Sequence, residues 1–180
     1  LDNGAVGAFV QGNIADTQVR DGNYDLVAKA VDYIKEQGVI AGSACHSLRT
    51  LQVCEEQGLD VDFYMKTLHR DDYWSAQPPE KREEYSFLGS NQPEHDGYHD
   101  NIWCMNPEET AAYMKQVRKP WIAYKVLAAG AVPPEEAFRY VFSKGADFAC
   151  VGMFDFQVVE DANIANRVLA GKLDRERDWA

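Results

Sequence analysis

The sequence predicts an α/β fold, a TIM-type (β/α) barrel to which this chain supplies about five β–α units, equivalent to strands 4 to 8. Five short apolar runs alternate with segments of helical periodicity, an order typical of parallel strands joined by helical crossovers. No glycine-rich phosphate turn follows the first run, which disfavours a doubly wound nucleotide-binding sheet. Five units do not close a standard barrel. We therefore expect residues 1–180 to form one domain that is incomplete at its N-terminus.

The predicted elements follow one another at a regular pace. Apolar residues spaced as on one helix face run from Leu26 to Ile34, and Gly38 ends that helix. Asn106-Pro107 and Pro133-Pro134, each followed by two glutamates, predict two helix starts. The last helix is expected after Asp155. The predicted strands are residues 6–11, 39–43, 63–68, 121–127 and 148–153.

Residues 70–104 interrupt this rhythm. The segment is rich in proline, charge and aromatic residues and has no clear period. In a barrel it would be a strand-to-helix loop on the catalytic face, where His99-Asp100-Asn101 could close over a pocket.

Composition excludes several classes of partner. The net charge is −11 and the sequence pI is near 4.7, which argues against nucleic acid and anionic membrane surfaces. No run of 18 apolar residues exists, so we expect no membrane span. A cytoplasmic location is the expectation, and an upstream targeting segment stays open. The expected partners are a small-molecule substrate and either the missing barrel half or further copies of the chain.

Ionisable side chains occur near the ends of four predicted strands, while the first strand ends in Gln11-Gly12-Asn13. Active sites of such barrels are assembled from the carboxyl ends of several strands, so this pattern predicts a site. The candidate catalytic residues are Lys66, His69, Lys125 and Asp155, with His46 beside them.

Lys66 and Lys125 each lie inside an apolar run. A buried lysine is costly unless it is paired or its pKa is lowered, and two lysines on neighbouring strands would lower each other's pKa. That combination predicts a nucleophilic amine. The alternative is that the lysines reach solvent or pair with an acid such as Asp155.

His46, His69 and Asp155 form a second constellation. Nitrogen and oxygen ligands from three strands could converge on a divalent metal. The alternative is that each histidine is a hydrogen-bonded structural residue.

Three stretches resemble aldo/keto reductase-like barrels. Residues 36–43 followed by His46-Ser47 look like their strand 5, residues 121–130 like their strand 7, and Val151-Gly152-Met153 with residues 158–163 like their last strand and helix. This resemblance implies chemistry on a small, polar, sugar-like carbonyl compound, with NADPH as cofactor. The family's histidine at the end of strand 4 is replaced here by Gln11-Gly12-Asn13.

A narrower resemblance is to class I aldolases of the deoxyribose-phosphate type. Residues 62–67 look like their Schiff-base strand, and residues 125–130 look like their strand 7. The resemblance implies that Lys66 forms the imine and that Lys125 lowers its pKa. The leading expectation is an enzyme acting on a small polar carbonyl compound. A Schiff-base lyase, a metal-assisted hydrolase or isomerase, and a non-catalytic barrel module remain open, as does the choice between NADPH and a divalent metal.

Overall fold

The centre of the molecule is a five-stranded parallel sheet in a computed structural model that describes residues 2–85 and 103–180. The strands lie side by side in chain order, and each neighbouring pair is parallel. The predicted α/β class and the five parallel strands are therefore confirmed. The strands are β1 (Gly7–Val10), β2 (Ile40–Cys45), β3 (Phe63–Thr67), β4 (Trp121–Tyr124) and β5 (Phe148–Cys150).

Helices alternate with these strands along the chain. Two of them, α1 (Gly12–Arg20) and α2 (Tyr24–Glu36), connect β1 to β2. The others are α3 (Leu48–Glu56), α4 (Pro107–Met114), α5 (Pro134–Ser143) and α6 (Val158–Ala170). Within the described ranges, none of the helices is long and apolar enough to cross a membrane.

Helix α1 was not anticipated from the sequence. It begins with Gly12 and Asn13, both weak helix formers, so local propensity gives little signal. Its start is instead fixed by Gln11, whose side-chain oxygen accepts a hydrogen bond from the Ile14 backbone N–H at 3.2 Å. Tertiary packing supplies the rest, because Ala15, Asp16 and Val19 are buried.

The two faces of the sheet have different surroundings. Tyr64 and Trp121 belong to the main core, which also contains buried residues of the helices. Met65 and Tyr124 point the other way and belong to a small cluster in which, among described residues, no helix takes part. A doubly wound sheet carries helices on both faces, whereas here the described helices contribute to the core on one face only. The small cluster comprises Ala44, Phe63, Met65, Ile122 and Tyr124.

Two predicted strands, 121–127 and 148–153, end three residues earlier than expected. The run 121–127 leaves strand geometry after Tyr124, because Lys125 has a positive φ of 58°. The run 148–153 ends at Cys150. Most of the predicted loop on the catalytic face, including His99-Asp100-Asn101, falls in residues 86–102, outside the described part of the chain. The described beginning of that loop is held down by an ion pair between Arg82 and Asp71.

Candidate active site

A cavity of about 840 Å³ opens at the carboxyl ends of the five strands. Each strand contributes to it: Phe9 from β1, Ala44 from β2, Met65 from β3, Tyr124 from β4 and Cys150 from β5. The strands therefore supply a mostly apolar floor, and most of the polar groups come from the segments just past the strand ends, which form the rim. The polar side chains in its lining include Gln11, Asn13, His46, Tyr124, Lys125 and Gln157.

Asp16 and His46 form a buried pair in the wall of this cavity. Asp16, fully buried in α1, accepts hydrogen bonds from the backbone N–H of His46 at 2.8 Å and from the Thr50 hydroxyl at 2.7 Å. The ring Nδ1 of His46 lies 2.9 Å from Asp16 Oδ2. A carboxylate only accepts hydrogen bonds, so Nδ1 carries a proton and Nε2 carries the lone pair of the neutral ring.

The imidazole of His46 is neutral near pH 7. Its pKa is lowered from the ordinary value of 6.5, chiefly because burial penalises the charged ring. Asp16 acts in the opposite direction, while the positive charges of Lys125 and Lys66 lower the pKa further. A neutral imidazole oriented by a carboxylate is suited to accept a proton.

Tyr124 presents a hydroxyl next to this ring. The rings of His46 and Tyr124 meet edge to face, with their centroids 5.3 Å apart. The hydroxyl is buried, and no hydrogen-bond partner for it exists among the described residues. Burial raises the pKa of Tyr124, so its hydroxyl keeps its proton and can donate it in a hydrogen bond. Gly12 makes room here, since a Cβ on it would lie 2.7 Å from the Tyr124 oxygen.

Lys125 completes the polar rim. Its Nζ lies 4.6 Å from the centre of the Trp103 ring. In residues 2–85 and 103–180, no carboxylate forms an ion pair with it. Burial lowers the pKa of Lys125, and Lys66 is not among the causes. The mutual lowering expected from the sequence is therefore not what acts on Lys125.

Lys66 lies on the opposite face of the sheet from the cavity. Side chains alternate along a strand, so Met65 faces the cavity and Lys66 faces the helices. Its fully buried Nζ donates to the carbonyl and the hydroxyl oxygen of Thr67, at 3.1 and 2.9 Å. The Thr67 hydroxyl in turn contacts the Trp103 carbonyl at 3.0 Å. The structure thus places Lys66 in a buried hydrogen-bond network and not in the cavity lining.

His69 also lies in a hydrogen-bond network outside the cavity lining, where it connects Arg70 to Trp103 and Cys104. Its Nδ1 lies 2.7 Å from the Arg70 carbonyl, and its Nε2 accepts hydrogen bonds from the backbone N–H groups of Trp103 and Cys104, at 3.2 and 3.0 Å. Burial lowers the pKa of His69 to about 4. Nε2 thus holds the backbone of Trp103 beside Lys125 while Nδ1 is engaged by Arg70, so His69 acts on the site through the backbone.

The metal constellation predicted from the sequence is not assembled. Asp155 is exposed, and its Oδ1 accepts a hydrogen bond from the Phe156 N–H at 3.0 Å. His69 is buried with both nitrogens occupied, whereas His46 lies in the cavity wall. Across the part of the chain that the structure describes, no three His, Cys, Asp or Glu side chains form a group that could hold a metal ion. The three residues lie near the ends of strands, but their side chains point in different directions and do not meet.

The cavity lining therefore contains the sequence candidates His46 and Lys125, together with Gln11 and Asn13 from the end of the first predicted strand. Two further residues were overlooked: Tyr124 in the lining, and Asp16, which contacts His46 from behind it. Asp16 was missed because its helix was not anticipated. Tyr124 carried a usable signal, because it alternates with Ile122 in β4 and both belong to the cluster on the open face.

No family model matches the chain, and comparisons with curated proteins and with solved structures found no significant match. The resemblances to aldo/keto reductase-like barrels and to class I aldolases stay predictions. The case for function rests on the geometry of the cavity.

Proposed function

We propose that this protein is an enzyme that moves a proton on a small polar carbonyl compound, in the cavity at the carboxyl ends of its strands. One observation carries the proposal. The oriented pair Asp16–His46 lies in the cavity wall beside the hydroxyl of Tyr124 and the amine of Lys125. A base, a hydrogen-bond donor and a positive charge around one space are the groups needed for proton abstraction next to a carbonyl.

The proposed step uses each group once. His46 Nε2 takes the proton from the carbon beside the carbonyl, and the electrons of that bond move onto the carbonyl oxygen. The hydroxyl of Tyr124 donates a hydrogen bond to this oxygen, while Lys125 and the positive end of α1 stabilise its developing negative charge. Return of the proton to the same or the neighbouring carbon completes an isomerisation or an exchange. A sugar-like compound with a hydroxyl beside the carbonyl fits the polar rim and the mostly apolar floor.

We also propose that the sheet is part of a (β/α) barrel. The sequential strand order and the helices on one face support it. The open face supports it too, because Phe9, Ile40 and Phe148 are 44%, 51% and 58% exposed there. Apolar side chains of this size on a sheet face favour a covering layer, supplied by further β–α units or by a second copy of the chain.

Hydrogen exchange tests the proposed chemistry. Glycolaldehyde in D₂O should lose the proton NMR signal of its carbon beside the carbonyl faster with the protein than with buffer. His46→Gln should slow this exchange by about 100-fold or more, a typical loss for a removed general base. Asp16→Asn should also slow it strongly, because an amide no longer enforces the Nδ1–H tautomer.

Helix α1 offers a matched control. Asp21→Asn removes an exposed carboxylate at the end of the same helix and should leave the exchange rate unchanged. Equal rates for the wild type and His46→Gln would contradict the proposal. Oxidation of NADPH by glycolaldehyde, without hydrogen exchange, would instead favour the reductase chemistry that the sequence resemblance implies.

A further inference from the structure

We propose that Lys125 forms an imine with the carbonyl carbon of the substrate. The inference rests on the proposed function for its substrate class and on the structure for its nucleophile. Among the described residues that line the cavity, Lys125 is the only lysine. Its amine lies at the same rim as His46 and Tyr124.

The backbone turns Lys125 into the cavity. In β4, Ala123 belongs to the main core under the helices and Tyr124 to the open face. A regular strand would therefore send residue 125 towards the helices, which is where Lys66 points in β3. The left-handed conformation of Lys125, with φ at 58°, ends the strand and changes that direction. Such a conformation is uncommon for a residue with a Cβ, and backbone strain of this kind concentrates at functional sites.

The surroundings of the amine suit a nucleophile. Other lysines of this chain pair with carboxylates: Lys35 with Asp60, and Lys119 with Glu55. Lys125 has no such partner in the described ranges and faces the ring of Trp103 at 4.6 Å. A carboxylate would hold the amine in its protonated, unreactive form, whereas burial lowers the pKa of Lys125.

The indole of Trp103 favours the product of the reaction. The face of an aromatic ring attracts a cation, and a protonated imine is a cation at the position of Nζ. The backbone that carries this ring is held in place, because His69 accepts hydrogen bonds from the backbone N–H groups of Trp103 and Cys104, and the Thr67 hydroxyl contacts the Trp103 carbonyl. The sequence candidates Lys66 and His69 therefore serve the site as positioning residues, through the segment that carries Trp103.

The step balances without a further reactant. The lone pair of neutral Nζ forms a bond to the carbonyl carbon, the π electrons move to the oxygen, and one proton passes from nitrogen to oxygen to give a carbinolamine. His46, after taking a proton from solvent, gives it to the hydroxyl, which leaves as water. Carbonyl, amine and one proton thus become iminium and water. In this form of the reaction the iminium replaces both the carbonyl and the charged Lys125 amine of the step proposed above. It attracts electrons from the neighbouring carbon–hydrogen bond more strongly than the carbonyl does, and neutral His46 then removes that proton.

Reductive trapping tests the inference on the whole protein. Glycolaldehyde and cyanoborohydride at pH 7, followed by peptide mass mapping, should modify Lys125 faster than exposed Lys172, because a lowered pKa leaves a larger fraction of the Lys125 amine neutral. Lys125→Asn removes the amine while keeping a residue that tolerates a positive φ, and should abolish the fast phase. Trapping at Lys125 no faster than at Lys172, or a fast phase at Lys66, would overturn the assignment.

Trapping and hydrogen exchange separate the two proposals. Trapping needs only the imine, whereas exchange needs the base His46. Exchange without trapping at Lys125 would leave the proposed function standing and remove the imine. Fast trapping at Lys125 without exchange would support the imine and contradict proton transfer by His46. Absence of both would overturn both.

Discussion

Polar groups are paired differently at the two ends of the strands, which we call the amino edge and the carboxyl edge of the sheet. At the amino edge, Asp62 precedes β3 and accepts a hydrogen bond from the Ala41 N–H in β2, at 2.8 Å. Asp147 precedes β5 and accepts one from the Trp121 N–H at the start of β4, also at 2.8 Å. A carboxylate that precedes one strand therefore accepts a backbone hydrogen bond from its neighbour in two pairs, β2–β3 and β4–β5. At the carboxyl edge, the described residues supply no hydrogen-bond partner for the Tyr124 hydroxyl and no carboxylate for Lys125.

Arg177 provides several of the hydrogen bonds at the amino edge. Its guanidinium contacts Asp147 at 2.7 Å and donates to the carbonyls of Val117, Lys119 and Gly145. All these acceptors come from segments that enter or precede strands, so one side chain ties several of them together. The contrast indicates that the amino edge stabilises the fold, and it agrees with the proposal that the polar groups of the cavity serve a ligand.

Substitution of Asp147 should have the largest effect on stability. Asp147→Ala leaves the buried charge of Arg177 without its carboxylate, which typically costs about 3–5 kcal/mol. Asp62→Ala is the matched variant. Its carboxylate is about a third exposed and pairs with Lys35, so we expect a loss of about 1 kcal/mol. Urea unfolding measures the stability of both variants. Equal losses of unfolding free energy would mean that Asp147 and Asp62 do not differ as their burial implies.

His69 tests whether the contrast follows the edge or the cavity. It lies just past the carboxyl end of β3 but outside the cavity, with both ring nitrogens paired. Its pKa is about 4 when folded and near 6.5 when unfolded, so the unfolded chain binds the extra proton first as the pH falls. The stabilising contribution is complete above pH 6.5 and is lost between pH 6.5 and about 4, by roughly 3 kcal/mol.

The comparison with His69→Gln isolates this contribution, because carboxylates titrate in both proteins. The difference in unfolding free energy between wild type and variant should shrink as the pH falls through that window. Parallel stability curves from pH 7 to 4 would show that His69 is not the buried, neutral acceptor seen in the structure. A clear dependence would show that His69, at the carboxyl edge but outside the cavity, is buried and neutral, so that the contrast follows the cavity and not the edge.

The sequence predicted the strands better than the site. Parallel strands typically read as continuous apolar runs, and this signal located all five, although one face of the sheet is partly exposed in the described chain. The same continuity hides which face a side chain takes, so Lys66 and Lys125 looked equivalent. Their side chains point to opposite faces because Lys125 adopts a left-handed backbone conformation. A glycine in the sequence would have suggested such a conformation, whereas a lysine does not. Asp16 was missed because tertiary packing, and not propensity, forms its helix.

The smallest expected effect on stability comes from a matched pair of tyrosines, and its sign is the sharpest test of the contrast. Tyr124→Phe removes a buried hydroxyl that has no partner in the described chain, so the folded state should gain about 1 kcal/mol. Tyr64→Phe removes a hydroxyl that donates to Glu55 at 2.6 Å and should lose about 1 kcal/mol.

The exchange of glycolaldehyde should respond in the opposite sense: slower by about tenfold in Tyr124→Phe, which lacks the donor to the oxygen, and unchanged in Tyr64→Phe. A Tyr124→Phe protein that is less stable and equally active would mean that this hydroxyl is structural, and the cavity would lose its hydrogen-bond donor. A more stable and less active variant is the signature of a group retained for a ligand at the expense of the fold.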